Sequence, residues 1–78
     1  MTNGIMTNGI MTRLRINGEE IEIAVSTVAE LLAERGIDPT ARFLAVAVNG
    51  AVVQRAEWAE RSLVAGDQIE IVGPLQGG

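Results

Sequence analysis

The sequence predicts an α+β domain in which one helix packs on a face of a mixed β-sheet. Three observations support this prediction: two internal Asn-Gly hairpin signals, an amphipathic segment between them, and a last alternating segment at 68–72. An Asn-Gly pair between alternating hydrophobic residues is the strongest short-range signal for a β-hairpin. Two hairpins, one helix and a final strand together favour a sheet that the helix covers on one side.

The first hairpin is predicted to turn at Asn17-Gly18. Polar and apolar residues alternate over 13–16 and again over 20–23. Because successive strand residues point to opposite faces, the apolar ones should share one buried face. These residues are Leu14, Ile16, Ile21 and Ile23. The arginines and glutamates between them should form exposed ion pairs, which contribute only about 0.2–1 kcal/mol each.

A short helix is predicted next. Thr27 and Glu30 have the spacing of a capping box, and Gly36 is the predicted C-terminal cap. Apolar residues recur between them at the spacing of one helical face. These residues are Val28, Leu31 and Leu32. A helix of about two turns is marginal by itself, and we therefore expect it to be stabilised by docking on the sheet.

The second hairpin is predicted to turn at Asn49-Gly50, after the apolar run 43–48. The larger alternate residues of this run should face the helix, and they are Leu44, Val46 and Val48. Ala45 and Ala47 should then line the opposite face of the sheet.

A short helical turn is predicted at 56–60, before the last strand, with Trp58 as its anchor. A ligand-stacking role for Trp58 is the alternative, but the single tryptophan of a small core favours packing. Asp67 follows a glycine directly before the last strand. That position is typical of a turn residue rather than of an acid catalyst.

The composition excludes several kinds of active site. The 78 residues include no histidine or cysteine, and all six basic residues are arginines. A Ser-His-Asp triad, a histidine or thiolate metal site and a lysine Schiff base are therefore impossible. The net charge of −4 disfavours nucleic-acid binding, and no apolar stretch is long enough for a membrane span. We expect a cytoplasmic domain that is not an enzyme and binds no metal.

The sequence divides into a leader, a domain and a tail. Residues 1–10 repeat the unit Met-Thr-Asn-Gly-Ile, which is too short to bury a core, and they are interpreted as a mobile leader. The folded domain is predicted over 11–72 and a flexible tail over 73–78. The tail ends in Gln76-Gly77-Gly78. Two terminal glycines can enter a narrow active site, which makes the terminal carboxylate a candidate reactive group. The alternative is a disordered end without function.

Three segments together resemble a known family. They are 48–53, 55–59 and 63–71, and they occur in this order before the terminal Gly-Gly. From Met11 to Gly78 the chain resembles the ubiquitin-like β-grasp sulfur carriers. The segment around Trp58, with the turn before the last strand, is most similar to the ThiS-like sulfur carriers of thiamine thiazole synthesis. The resemblance implies the ubiquitin-like β-grasp fold.

The resemblance also implies chemistry at Gly78. A ThiF-like adenylating enzyme would use ATP to convert its carboxylate into an acyl-adenylate, and sulfur from a persulfide donor would replace the nucleotide. The resulting thiocarboxylate would supply sulfur to thiazole synthase, while the carrier itself would bind no cofactor. Gly77 and Gln76 would thread into the partner's active site. Further partner contacts are expected from Leu75, Val72, Ala45 and Ala47.

Three other functions are open at this point. The small subunit of molybdopterin synthase resembles the chain in fold, tail and thiocarboxylate, and Gly73-Pro74-Leu75 favours it slightly. The segment around Trp58 argues against it. A ubiquitin-like modifier would instead form amide bonds to lysines of other proteins. A plain β-grasp interaction domain would make no use of the Gly-Gly end.

Overall fold

Five strands form one mixed sheet. The computed structural model describes residues 11–73, and the predicted leader 1–10 and residues 74–78 lie outside this part. The strands are β1 (Thr12–Ile16), β2 (Glu19–Ile23), β3 (Ala45–Val48), β4 (Ala51–Val53) and β5 (Gln68–Val72). Their order is β2-β1-β5-β3-β4, which places the last strand in the centre. Because β5 runs parallel to β1 and antiparallel to β3, the predicted mixed sheet is confirmed.

Both predicted hairpins form around their Asn-Gly pairs. Asn17 and Asn49 have φ angles of 51° and 53°, and the glycine after each is also in the left-handed region. Positive φ at both central residues is the geometry of a type I′ turn, whose twist matches that of the flanking strands. In the first hairpin Leu14 lies opposite Ile21. The alternating apolar residues therefore share the inner face, as predicted.

The helix, α1 (Val28–Glu34), begins with a cap that differs from the prediction in one bond. The Thr27 hydroxyl accepts a hydrogen bond from the Glu30 amide at 3.2 Å, as a capping box requires. The Glu30 carboxylate, however, accepts from the Ser26 amide at 2.8 Å and the Ser26 hydroxyl at 3.0 Å. The reciprocal bond is thus made one residue earlier, because Ser26 offers two donors to the same oxygen.

The C-terminal end of α1 closes at Gly36, as predicted. Gly36 has a φ of 73°. Its amide donates to the Ala33 carbonyl at 3.1 Å, and the Ile37 amide donates to the Leu32 carbonyl at 2.9 Å. These two bonds form a Schellman motif, which satisfies carbonyl groups that the helix leaves free.

The core lies between α1 and the sheet. Thirteen apolar side chains of the described residues are buried there, including the predicted inner residues of β3 and α1. Trp58 follows a 3-10 turn at Arg55–Glu57, slightly earlier than the predicted 56–60. Its ring is 4% exposed, and its indole N–H donates to the Val53 carbonyl at 2.9 Å. The prediction that Trp58 anchors the core is confirmed.

The apolar run 43–48 does not belong entirely to the strand, which corrects the sequence prediction. β3 begins only at Ala45, and Phe43 lies in the preceding loop with 81% of its surface exposed. Its φ is 63°, a left-handed conformation that costs a non-glycine residue about 1–2 kcal/mol. The sequence gives no sign of this, because phenylalanine in an apolar run is typical of a strand.

The cap of α1 predicts a pH dependence of stability. Hydrogen bonds from the Ser26 amide and hydroxyl hold the pKa of Glu30 below its ordinary value of 4.5. A lowered folded-state pKa contributes stability that is present above pH 4.5 and is lost as the pH falls through the folded pKa. Glu30→Gln should therefore be less stable than the unmodified chain at neutral pH. This difference should shrink below pH 4.5 in denaturant unfolding curves. A difference that stays constant down to acid pH would contradict the assignment.

Candidate functional site

The candidate site is the point at which β5 leaves the sheet. We call Ile71, Val72 and Gly73 the tail root. Val72 lies opposite Ala45 in the β3–β5 ladder. A Cβ atom added to Gly73 would lie 3.6 Å from the Leu44 side chain, an ordinary van der Waals distance, which places the Gly73 backbone beside Leu44 at the edge of the core. Pairing with β3 and contact with Leu44 thus fix the position of the chain as far as residue 73.

The Asn17 side chain holds the tail root from the β1 side. Its carbonyl oxygen accepts from the Ile71 amide at 2.8 Å, and its amide donates to the Ile71 carbonyl at 3.2 Å. The Asn17 backbone amide also donates to the Ile69 carbonyl at 2.9 Å. Because β1 ends at Ile16, the asparagine side chain extends the pairing of β5 beyond the last residue of its parallel neighbour.

The Asn49 side chain holds the other end of β5. Its oxygen accepts from the Gln68 amide at 2.9 Å, and its amide donates to the Asp67 carboxylate at 2.9 Å. The second oxygen of Asp67 accepts from the Val64 amide at 2.9 Å, and the residue is only 7% exposed. Asp67 closes the turn over 64–67. Both carboxylate oxygens bind groups of the chain itself, which supports the predicted turn role over an acid catalyst.

The outer face of the sheet is apolar on the side of the tail root. Val72 is 62% exposed and Val52 on β4 is 73% exposed. Ala45 is exposed beside Val72, and Ala47 is half-buried between Val52 and Glu70. The predicted contact residues Val72, Ala45 and Ala47 therefore lie on one surface. We call these three residues and Val52 the apolar outer patch.

Val52 is a member of this patch that the sequence prediction missed. The sequence contained a signal for it. Val52 precedes the inward-facing Val53 on β4, and neighbouring strand residues point to opposite faces of the sheet. The other predicted site residues, Leu75, Gln76, Gly77 and Gly78, lie outside the described residues. Their roles stay predictions.

The remaining half of the outer face is charged. Arg13 contacts Glu22 at 2.5 Å and Arg15 contacts Glu20 at 3.3 Å, with all four side chains largely in solvent. The hydrogen bond and charge of Glu22 raise the pKa of Arg13. Such pairs add little stability because water screens them. Their effect is to keep β1 and β2 hydrated, which confines the exposed apolar surface to the side of the tail root.

The described residues were also compared with the requirements of a metal site and of a membrane span. Within 11–73 no cluster of three carboxylate, histidine or cysteine groups is placed to hold a metal ion. No helix in this part of the chain is both long and apolar enough to cross a bilayer.

Comparison with known proteins identifies the family. The model of the ThiS family matches residues 14–78, which is well over half of the chain. The crystal structure of the thiamine biosynthesis protein ThiS from Geobacter metallireducens is similar, with a TM-score of 0.70 and 26% sequence identity. The match covers 86% of this chain and all of that protein.

A solution structure of a thiamine biosynthesis protein from the same organism has a TM-score of 0.68, again at 26% identity. It is matched over 86% of this chain and 88% of its own length. No protein of curated function matches the sequence significantly. The sheet order, the one α-helix of residues 11–73 and these matches confirm the ubiquitin-like β-grasp fold. The chain belongs to the ThiS family of ubiquitin-like sulfur carriers.

Proposed function

We propose that this protein carries sulfur for thiazole formation in thiamine biosynthesis, as a thiocarboxylate on Gly78. The observation that carries the proposal is the path of β5. The central strand of the sheet runs directly into a tail that ends in Gly-Gly. Membership of the ThiS family and similarity to a thiamine biosynthesis protein support the same pathway.

The chemistry has to begin with activation of the Gly78 carboxylate. A carboxylate resists nucleophiles because it is negatively charged and has no good leaving group. In the proposed reaction, a ThiF-like adenylating enzyme transfers AMP from ATP to this carboxylate and releases pyrophosphate. A persulfide sulfur then displaces AMP, and reductive cleavage of the resulting acyl disulfide by a thiol leaves the thiocarboxylate on Gly78. Thiazole synthase receives the sulfur, in the cytoplasm.

In this scheme the carrier contributes a substrate group and a docking surface. Gln76 and Gly77 would enter the partner's active site ahead of the folded body, and Gly77 and Gly78 have no side chain to clash with a narrow channel. The apolar outer patch supplies the first contacts at the tail root, together with Leu75. Val72 and Val52 favour this role, because two exposed valines on one sheet face offer apolar area for a partner to cover.

Mass spectrometry of the full chain tests the proposal. The protein is incubated with its ThiF-like enzyme, ATP, a persulfide donor and a reducing thiol, and then digested. We expect one oxygen to be exchanged for sulfur, and the exchange to lie in the C-terminal peptide. Adducts on lysines of other proteins would instead show a modifier. If neither product forms, the chain acts as a plain interaction domain.

A second measurement separates the two sulfur pathways. The thiocarboxylate form is supplied separately to thiazole synthase and to the large subunit of molybdopterin synthase. Consumption by thiazole synthase alone is the expected result. Consumption by the molybdopterin enzyme alone would reassign the carrier.

A further inference from the structure

Phe43 combines two features that ordinary packing does not explain. Its side chain is 81% exposed, and its backbone is left-handed. The other described non-glycine residues with positive φ are Asn17 and Asn49, where an asparagine in a type I′ turn tolerates this conformation. Phenylalanine has no such preference. A strained residue whose side chain is mostly exposed points to a function outside its own fold.

The loop that carries Phe43 is held in place. Arg55 donates to the Pro39 carbonyl and, at 2.9 Å, to the Ala41 carbonyl. The Asp38 carboxylate accepts from the Thr40 amide at 2.9 Å and from its hydroxyl at 2.8 Å. These contacts fix the backbone just before Phe43. An exposed side chain on a fixed backbone loses little further freedom when it binds, which favours affinity.

Phe43 also lies beside the tail root. It precedes Leu44, the residue over which Gly73 passes, and β3 pairs with β5 from Ala45 onward. Five residues follow Gly73, and a fully extended chain of that length spans at most about 18 Å. An enzyme that holds Gly78 in a site no deeper than this must contact the surface around Gly73. Phe43 is the largest exposed apolar side chain at this surface.

We propose that Phe43 is the anchor residue of the carrier for the enzyme that activates Gly78, and that it enters an apolar pocket with acidic groups at its rim. The acidic rim is inferred from Arg42, whose guanidinium lies 5.9 Å from the centre of the Phe43 ring. The two ion pairs of residues 11–73 join β1 to β2 and do not involve Arg42. Its charge therefore faces any partner that covers Phe43. The inference rests on the proposed function, because it assumes an enzyme that receives the tail.

Phe43→Gly is the variant that separates binding from stability. Glycine adopts a φ of 63° without strain, so the variant should unfold at the same temperature as the unmodified chain or higher. Buried aromatic anchors are the residues whose loss weakens interfaces most. The dissociation constant of the full chain for the purified ThiF-like enzyme, measured by calorimetry without ATP, should therefore rise at least about tenfold. Phe43→Asn, which also tolerates the left-handed region, should give the same result.

Two further variants complete the test, one as a control and one for the acidic rim. Val64→Ala shortens an apolar side chain that is 61% exposed near the start of β5, away from the tail root, and should leave the dissociation constant unchanged. Arg42→Gln should weaken binding at low salt and have less effect at high salt, because salt screens exposed charges. A salt-independent effect of Arg42→Gln would overturn the acidic rim.

The anchor role is wrong if Phe43→Gly binds as tightly as the unmodified chain, or if Val64→Ala weakens binding equally. It is also wrong if the unmodified chain does not bind the ThiF-like enzyme. A different result would contradict the proposed function, namely that the unmodified chain acquires no sulfur. If the unmodified chain and Phe43→Gly are loaded with sulfur equally well, the proposed function stands and only the anchor role of Phe43 is wrong.

Discussion

Removal of Gly78 is expected to abolish sulfur loading and to leave the free energy of unfolding unchanged. The buried apolar residues of the described part lie between Leu14 and Ile69, and the last strand ends at Val72. We therefore expect the core of residues 11–73 to stay intact when residue 78 is removed. The shortened chain still ends in a carboxylate, but this group lies about 3.3–3.6 Å short of the original position. A misplacement of only about 1 Å can cost a reaction about 100-fold.

The measurement compares sulfur incorporation by intact mass and stability by denaturant unfolding. Gln76→Ala is a suitable control, because it keeps the length of the tail and both terminal glycines while it removes one polar side chain. It should be loaded far better than the truncated chain. Loading of the truncated chain at the normal rate would show that the Gly78 carboxylate is not the attachment point.

The architecture is predictable because local signals agree with the global fold. Each Asn-Gly pair defines a hairpin, and the alternation around Asn17 assigns the inner and outer faces of β1 and β2. The capping pattern at Thr27 and the glycine at 36 set the ends of α1 within a residue or two. All of these features depend on neighbours within about five positions in the sequence, which is the range over which sequence patterns are informative.

The tail root could be predicted only in part, because its contacts join distant segments. The pairing of the Asn17 side chain with Ile71 spans 54 positions, and that of Asn49 with Asp67 spans 18. Nothing within either turn indicates that its asparagine holds β5. The prediction that the strand begins at Phe43 was wrong for a related reason. An apolar run predicts a strand, but the left-handed backbone of Phe43 belongs to the loop that Arg55 holds. Val52 was also missed, although alternation along β4 was enough to place it on the outer face.

Trp58→Ala is expected to lower the free energy of unfolding by about 3–5 kcal/mol. The ring is buried, its indole N–H is bonded to the Val53 carbonyl, and the Arg55 guanidinium lies 4.8 Å from the ring centre. Stability in small domains amounts to roughly 0.05–0.15 kcal/mol per residue, so the loss is a large part of the total. Thermal and denaturant unfolding should both show it. A change within about 0.5 kcal/mol, which is typical of surface sites, would reopen a ligand-stacking role.

Trp58→Phe divides the expected effect into its two sources. Phenylalanine keeps an aromatic ring in the core but removes the indole hydrogen bond to the Val53 carbonyl, and the loss of one hydrogen bond costs about 0.5–1.5 kcal/mol. The Trp58 carbonyl also accepts from the Ala29 amide at 2.9 Å, at the start of α1. Loss of the ring should therefore speed hydrogen exchange at Ala29, while Trp58→Phe should largely preserve its protection. Sulfur loading of both variants should fall only with the folded fraction, because Trp58 stabilises the body that presents Gly78 and takes no part in the chemistry.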